Sequence, residues 1–565
     1  MSRHAPKLIF LATLLFFGAF FLFPIWSTIQ AAFEGPDGRL TLDFVAAVFR
    51  NPIYLEGLLN AFKMGLFSTL ASLLIALPLA LVANRYRFPG KEALTSLLLV
   101  PMILPPFVGA LGVRQFLGQA GVLNVLLTRL GLMDPSQPID WMGEGQLLGV
   151  VVMNALHLYP IAYLNLSAAL ANLDPAMEEA AENLGCHGWR RLYRITLPLI
   201  MPGMFAGATI IFIWSFTELG VPLIFDYGRV TSVQIFDGIK DLSGNPFPYA
   251  LVAVMLLTTV LLYIAGKALF GRGGYATSGR AATGRNLESA PPLVGWLCAA
   301  LFAGVSALAM LPHAGVILLS VSKDWYASLL PNGYTFQHYI DALGHPLTVH
   351  SISNSLKYAS FSTAFDVVLG IAIAYVIVRT RLPGRHLLDA MAMLPLAVPG
   401  LVLAFGFLAL SKEEGDPFHF LMLGENPILL LVIAYAVRRL PYVVRSAVAG
   451  FEQTSVSLEE AAQNLGCSPF RAIRRVTLPL ITANLIAGGL LAFSFAMLEV
   501  SDSLILAEQQ QHFPITKAIY TLVSSLGNGH YLASALGVWA MAFLAITIIG
   551  AGLILGQKLG ALFRV

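Results

Sequence analysis

The chain has 565 residues, of which 57% are hydrophobic and only 12% charged, and its mean hydropathy is +0.75. Soluble globular proteins carry about 25% charged residues, so a water-soluble surface of this size is excluded and an all-α integral membrane protein is implied. The 34 Lys and Arg against 31 Asp and Glu leave a net charge of only +3, without the basic stripe that nucleic-acid binding requires.

Apolar segments of spanning length recur at 8–30, 60–84, 93–117, 146–170, 203–226 and 248–270, then at 292–321, 355–379, 387–411, 427–449, 483–506 and 532–557. Each is near the roughly 20 residues that a helix needs to cross the hydrocarbon core, which predicts about 12 transmembrane helices. The first run, from Leu8 to about Ile29 behind Arg3, His4 and Lys7, is too long for a signal-peptide core and reads as an uncleaved span. Lys and Arg collect on one side: Arg85, Arg87, Lys91; Arg190, Arg191, Arg194; Arg272, Arg280, Arg285; Arg379, Arg381, Arg385; and Arg471, Arg474, Arg475. The opposite side carries acidic or mixed segments such as Lys412–Asp416. By the positive-inside rule both termini are expected in the cytoplasm.

The two sets of six are an internal repeat. Residues 178–201 (EEAAENLGCHGWRRLYRITLPLIM) and 459–482 (EEAAQNLGCSPFRAIRRVTLPLIT) are identical at 15 of 24 positions at an offset of 281. A second anchor aligns Arg87-Phe88-Pro89-Gly90 with Arg381-Leu382-Pro383-Gly384, and Pro101 and Pro105 with Pro395 and Pro399, at an offset of 294. The expected organisation is a six-span module at 1–270, a Gly/Ser/Ala/Arg-rich linker at 271–290, and a second six-span module at 291–565. An even number of spans gives both copies the same orientation, so the repeats are parallel.

The repeated segments, within 174–203 and 455–484, are predicted to form a short helix, a glycine turn and a second helix on the cytoplasmic side. Asp174-Pro175 is a favoured helix start, Glu178 and Glu179 suit a helix N-terminus, and Gly185 suits its end. In the second copy Ser457-Leu458-Glu459-Glu460 offers a capping box, Gly466 the stop, and Ser468-Pro469 the next start. The paired alanines, Ala180 with Ala181 and Ala461 with Ala462, allow close backbone approach amid charge, as a docking surface needs.

On these residues the chain resembles the permeases of type I binding-protein-dependent ABC importers. Their EAA loop is matched by Glu179, Ala180, Ala181, Gly185 and Pro198, and again by Glu460, Ala461, Ala462, Gly466 and Pro479. The resemblance implies that each loop's first helix is a coupling helix seated on a cytoplasmic ATPase subunit. It further implies two ATPase copies, which would bind MgATP, and an extracytoplasmic (periplasmic) substrate-binding protein, with this chain in the bacterial inner membrane. The fused pair is similar to the ferric-iron permease branch, supported by Phe216–Pro222, Glu499–Leu506 and Arg439–Tyr442. Thiamine and 2-aminoethylphosphonate permeases are fused relatives, and polyamine is a further alternative cargo.

Ionisable residues inside spans are functional candidates. Glu218 and Glu499 are repeat equivalents, with Asp502 one turn beyond the latter. They are expected either to line the translocation path or to bond to neighbouring helices and loops. Arg438, Arg439 and Arg445, in the tenth span, either attract an anionic substrate, pair with Glu499 or Asp502, or snorkel to an interface. His157 and the equivalent Cys186 and Cys467 read as packing residues. The three cysteines, Cys298 included, have no CxxC spacing, and no metal-ligand cluster stands out.

Prolines 101, 105, 106, 395 and 399 are expected to break or kink the third and ninth spans. No Gly-x-x-x-x-Gly-Lys-Ser/Thr loop occurs, so the chain reads as a transport subunit without its own ATPase site, not an enzyme, and with no cofactor of its own. A self-powered secondary transporter accounts for the six-plus-six pattern but leaves the duplicated docking loop without a purpose.

Overall fold

In hydrocarbon every backbone N–H and C=O must find a partner within the protein, and the chain answers with helices almost throughout. The structure, a computed structural model, describes residues 5–554 apart from 36, 144–145, 240–244, 271–287, 413–414, 423–425 and 526. Most of the expected linker with Arg272, Arg280 and Arg285, both chain ends with Arg3 and His4, and Glu413 and Glu414 lie outside the described residues.

Nine helices among the described residues are long and apolar enough to span a membrane, or up to 11 if two bent pairs each count as one span. The remaining expected span is the 26-residue helix Ile428–Gln453. Its length suffices, but Arg438, Arg439 and Arg445 lower its hydropathy. The ninth expected span is one of the bent pairs, Arg385–Leu396 followed by Gly400–Ala409 at 94°. In the third, Lys91–Leu97 and Val100–Ile103 are separated from Pro106–Leu117 at Leu104, whose backbone is extended (ψ 141°). A residue before proline is pushed out of the helical region, so these prolines break the spans instead of only kinking them.

The chain forms two compact units. One comprises Pro52–Val233 and Val254–Tyr334. Here the helix Pro52–Arg85 packs against Leu147–Ala171, Leu197–Phe216 covers both, and Pro292–Ser320 lies along Pro106–Leu117. A two-residue parallel pairing of Tyr86–Arg87 with Glu288–Ser289 ties the end of the linker into this unit. The other unit comprises Met1–Asn51, Gln234–Ala253 and Thr335–Val565. In it Pro346–Arg379, Ile428–Gln453 and Thr482–Met497 repeat the three-helix arrangement, and the span Ala5–Ala32 lies against Pro346–Arg379 and Gly400–Ala409.

The first helix of each sequence half therefore belongs to the unit built mostly from the other half. A repeated glycine permits this seating. A Cβ at Gly112 would overlap the Pro312 carbonyl oxygen, and one at its equivalent Gly406 would sit 2.8 Å from that of Pro24. Overpacking of this kind costs roughly 1–3 kcal/mol. Gly112→Leu and Gly406→Leu should each lower the melting temperature of the purified protein, whereas Gly304→Leu, which faces open space, should leave it nearly unchanged.

Candidate functional site

The repeated loops fold alike in the two halves. In the first, the Asp174 carboxylate accepts from the Ala176 N–H at 3.0 Å and Pro175 opens the helix Pro175–Asn183. Gly185, at φ +78°, ends it. The Gly185 N–H donates to Glu182 O and the Cys186 N–H to Ala181 O, both at 2.9 Å, which satisfies the carbonyls a helix end leaves open. In the second copy Gly466 (φ +85°) and Cys467 close the helix Val456–Asn464 in the same way. Its cap is Ser455, which accepts from the Ser457 N–H at 3.3 Å. The expected box starting at Ser457 does not form, because Ser455 already holds the extended backbone of a cap and Ser457 lies inside the helix.

The two glutamates of each loop divide their roles. Glu178 and Glu459 are buried and face the chain's return into the membrane. The Thr196 hydroxyl donates to Glu178 Oε1 at 3.0 Å, and the Thr477 hydroxyl to Glu459 Oε1 at 2.8 Å. Both threonines close a π-helical turn, Leu192–Thr196 or Ile473–Thr477, just before Leu197-Pro198 or Leu478-Pro479.

Arg379 adds a buried ion pair to Glu459 (2.9 Å) and donates to the Thr454 carbonyl (2.8 Å). Arg85, its repeat equivalent, pairs with Glu288. The neighbouring Glu179, Ala180, Glu460 and Ala461 are exposed, while Ala181 is buried and Ala462 half-buried. Gly185 and Gly466 are exposed beside Leu184 and Leu465, which are 87% and 90% exposed. Pro198 starts the helix Leu197–Phe216; Pro479 lies in Leu478–Leu480, before a 74° bend into Thr482–Met497.

The intramembrane charges form a second cluster, confined to the second half. Arg438 donates to Glu499 and, at 3.3 Å, to Asp502; Arg439 donates to the other Glu499 oxygen. Glu499 and Asp502 are buried. Of the roles open to these arginines, Arg438 and Arg439 take pairing. Arg445 is exposed and 3.6 Å from Asp389.

A Cβ at Gly400 would overlap the Arg438 guanidinium, which explains the glycine there. Glu218 is half-buried; its carboxylate accepts from the Gly220 and Val221 N–H groups at 3.0 and 3.3 Å, capping the short helix Gly220–Ile224. In both halves a hydroxyl holds the glutamate's own carbonyl: Ser232 to Glu218 O at 2.6 Å, Thr516 to Glu499 O at 2.7 Å. His157 is buried, with Nδ1 2.9 Å from the Pro101 carbonyl, consistent with a packing role.

Sequence reasoning missed Asp366, fully buried in Pro346–Arg379, whose carboxylate oxygens have no hydrogen-bond partner among the described residues. A lone acid within Phe365–Tyr375 was a visible signal. Thr196 and Thr477 were visible too, as identical positions of the repeated segment.

The model of the family described as "Binding-protein-dependent transport system inner membrane component" matches residues 72–273 and again 366–559. The chain belongs to this family. Each match contains one repeated loop, so the permease carries two family modules in one chain. It is 27% identical over 475 residues to the putative ferric transport system permease protein FbpB 1 of Haemophilus influenzae, covering 82% of this chain and 70% of that protein. It is also 27% identical over 471 residues to the ferric transport system permease protein FbpB of Actinobacillus pleuropneumoniae, covering 81% of this chain and 64% of the relative. A chain from the crystal structure of a bacterial ABC transporter involved in the import of the acidic polysaccharide alginate superposes with a TM-score of 0.39 at 20% identity, covering 47% of this permease and 94% of that chain.

Removing one partner of a buried ion pair costs about 3–5 kcal/mol, against 0–1 for an exposed one. Arg438→Leu should therefore lower the thermal midpoint of the purified permease well beyond Arg445→Leu.

Proposed function

We propose that this chain forms the translocation pathway of an ATP-driven importer, with modules 1–270 and 291–565 each presenting one coupling helix to one of two cytoplasmic ATPase subunits. The observation that carries the reading is the duplicated loop. In each copy a buried glutamate ties the short helix to the base of the next span, while the adjacent Glu-Ala pair faces outward. Glu179, Ala180, Glu460 and Ala461 are then the contact face. Ala181 and Ala462 keep the helix close to the membrane-embedded body, Gly185 and Gly466 turn the chain, and Pro198 and Pro479 start its return.

Closure of the ATPase pair, which binds MgATP, draws the two coupling helices together. Each displacement passes through Glu178–Thr196 or Glu459–Thr477 into the span above it. The inward- and outward-open states must lie close in free energy, because a ligand shifts such a balance only by its differential affinity. A periplasmic binding protein delivers the cargo on the opposite face, which places both chain termini in the cytoplasm. Glu218 and the Arg438–Arg439–Glu499–Asp502 cluster act on the pathway by bracing the breaks in the fifth and eleventh spans.

Ferric iron is the proposed cargo, supported by the ferric relatives and by the fusion of both halves. Labelled ferric uptake under iron limitation should fall in cells lacking the gene, in a strain without a redundant iron system, and return with the intact gene. Unchanged uptake would leave thiamine, 2-aminoethylphosphonate or polyamine as cargo.

Glu179→Lys combined with Glu460→Lys should abolish uptake and co-purification of the ATPase while membrane insertion stays normal. Proton- or sodium-driven transport that survives in this double variant would overturn the importer reading in favour of a secondary transporter. In Thr477→Val the ATPase should still bind, but uptake should fall several-fold, since the loss of one buried hydrogen bond of about 1–3 kcal/mol loosens the link.

A further inference from the structure

At the end of the helix Pro52–Arg85 remote from Arg85, the unit built on that helix holds a cavity of about 1080 Å³, on the scale of small-molecule sites. Its walls come from the first turns of that helix, the end of Pro106–Leu117, Asp140, Met142, Gly143 and Gln146, and the loop 225–229. Gln146 (φ +66°) and Asp226 (φ +57°), two of the three non-glycine residues with positive φ among those described, both line it. Strained backbone of this kind persists where the surroundings enforce it, and it clusters at ligand sites.

The charges in the cavity are unevenly satisfied. Arg229 donates to Glu56 at 2.6 Å, Arg114 lies 3.6 Å from Asp226, and Asp140 accepts from the Met142 N–H at 3.1 Å. All three carboxylates are thus engaged. The side chains of Lys63 and Tyr227, in contrast, have no hydrogen-bond or ion-pair partner among the described residues. Burial, with the Glu56 carboxylate nearby, pushes the Tyr227 phenol up to about 12, so it remains a donor at neutral pH. The unfilled capacity of the site is an ammonium and a hydroxyl beside two guanidinium groups, which suits an anion.

The internal repeat separates scaffold from specialisation. Asn60 donates to the Arg229 carbonyl at 2.9 Å, and its equivalent Asn354 donates to the Gln511 carbonyl at 2.8 Å, so that link belongs to the shared fold. At the offset of 294, Glu56 and Arg114 correspond to His350 and Leu408. Glu56 and Arg114 therefore belong to the first half and are not required by the fold, whereas Lys63 recurs as Lys357.

We propose that this cavity binds a phosphate-type oxyanion, held by Lys63 and Tyr227 with the free N–H edges of Arg114 and Arg229. The oxyanion comes either from solution or from an anionic lipid headgroup.

The test uses the full-length purified permease without its partners, so it is independent of the transport reading. Equilibrium dialysis with labelled inorganic phosphate, and retention of labelled phosphatidylglycerol against phosphatidylcholine in nanodiscs, are compared across variants of equal melting temperature. Saturable phosphate binding that weakens about tenfold or more, or 1.4 kcal/mol, in Lys63→Ala and Tyr227→Phe, but not in the repeat-equivalent Lys357→Ala, supports a soluble ligand. Selective retention of phosphatidylglycerol alone, lost in the same two variants, supports a headgroup. Absence of both, or binding that is unchanged in Lys63→Ala and Tyr227→Phe, overturns the proposal.

Discussion

The short helix of each repeated loop is tied to the base of the next span by a carboxylate–hydroxyl hydrogen bond that both halves share. Glu459 accepts from Thr477 at 2.8 Å and Glu178 from Thr196 at 3.0 Å. Both pairs are buried, where water competes little for the bond. The position of the exposed Glu-Ala face and the direction in which the chain re-enters the membrane both rest on this contact. In the second half Arg379 also pairs with Glu459, and in the first Arg191 pairs with Glu182 of the same loop.

The deeper polar groups obey the same electrostatic logic. A break in a span frees backbone groups that hydrocarbon cannot solvate, and the protein supplies partners at each break. Glu218 caps the helix that follows it, while Ser232 and Thr516 take up the carbonyls of Glu218 and Glu499. The second half then adds two arginines and Asp502 to the same corner, so the two breaks are braced with different strength. Two halves that share a fold therefore need not yield equally when the protein changes state.

Much of this was legible in the sequence. Span positions, the duplicated loop, its glycine stops and the equivalence of Glu218 with Glu499 follow from hydropathy and self-similarity, because both report on local chemistry. The cap at Ser455 was misplaced by two residues: several hydroxyls precede that helix, and only backbone geometry selects among them. The division of labour between Glu178 and Glu179 was hidden, since adjacent glutamates differ only in the direction they face. The seating of Gly112 on Pro312 and Gly406 on Pro24 was hidden as well; it depends on contacts across hundreds of residues that no local pattern encodes.

That exchange of first helices bears on how the protein is made. The span Ala5–Ala32 leaves the ribosome long before its neighbours in Pro346–Arg379 and Gly400–Ala409. Chains grow at about 5–20 residues per second, so this helix waits on the order of tens of seconds in lipid with its packing face, including Phe17 and Phe21, unmatched. A messenger truncated before Pro346 would strand it there permanently. The burial of this helix thus waits on the second half of the chain and marks that those two later helices have been made.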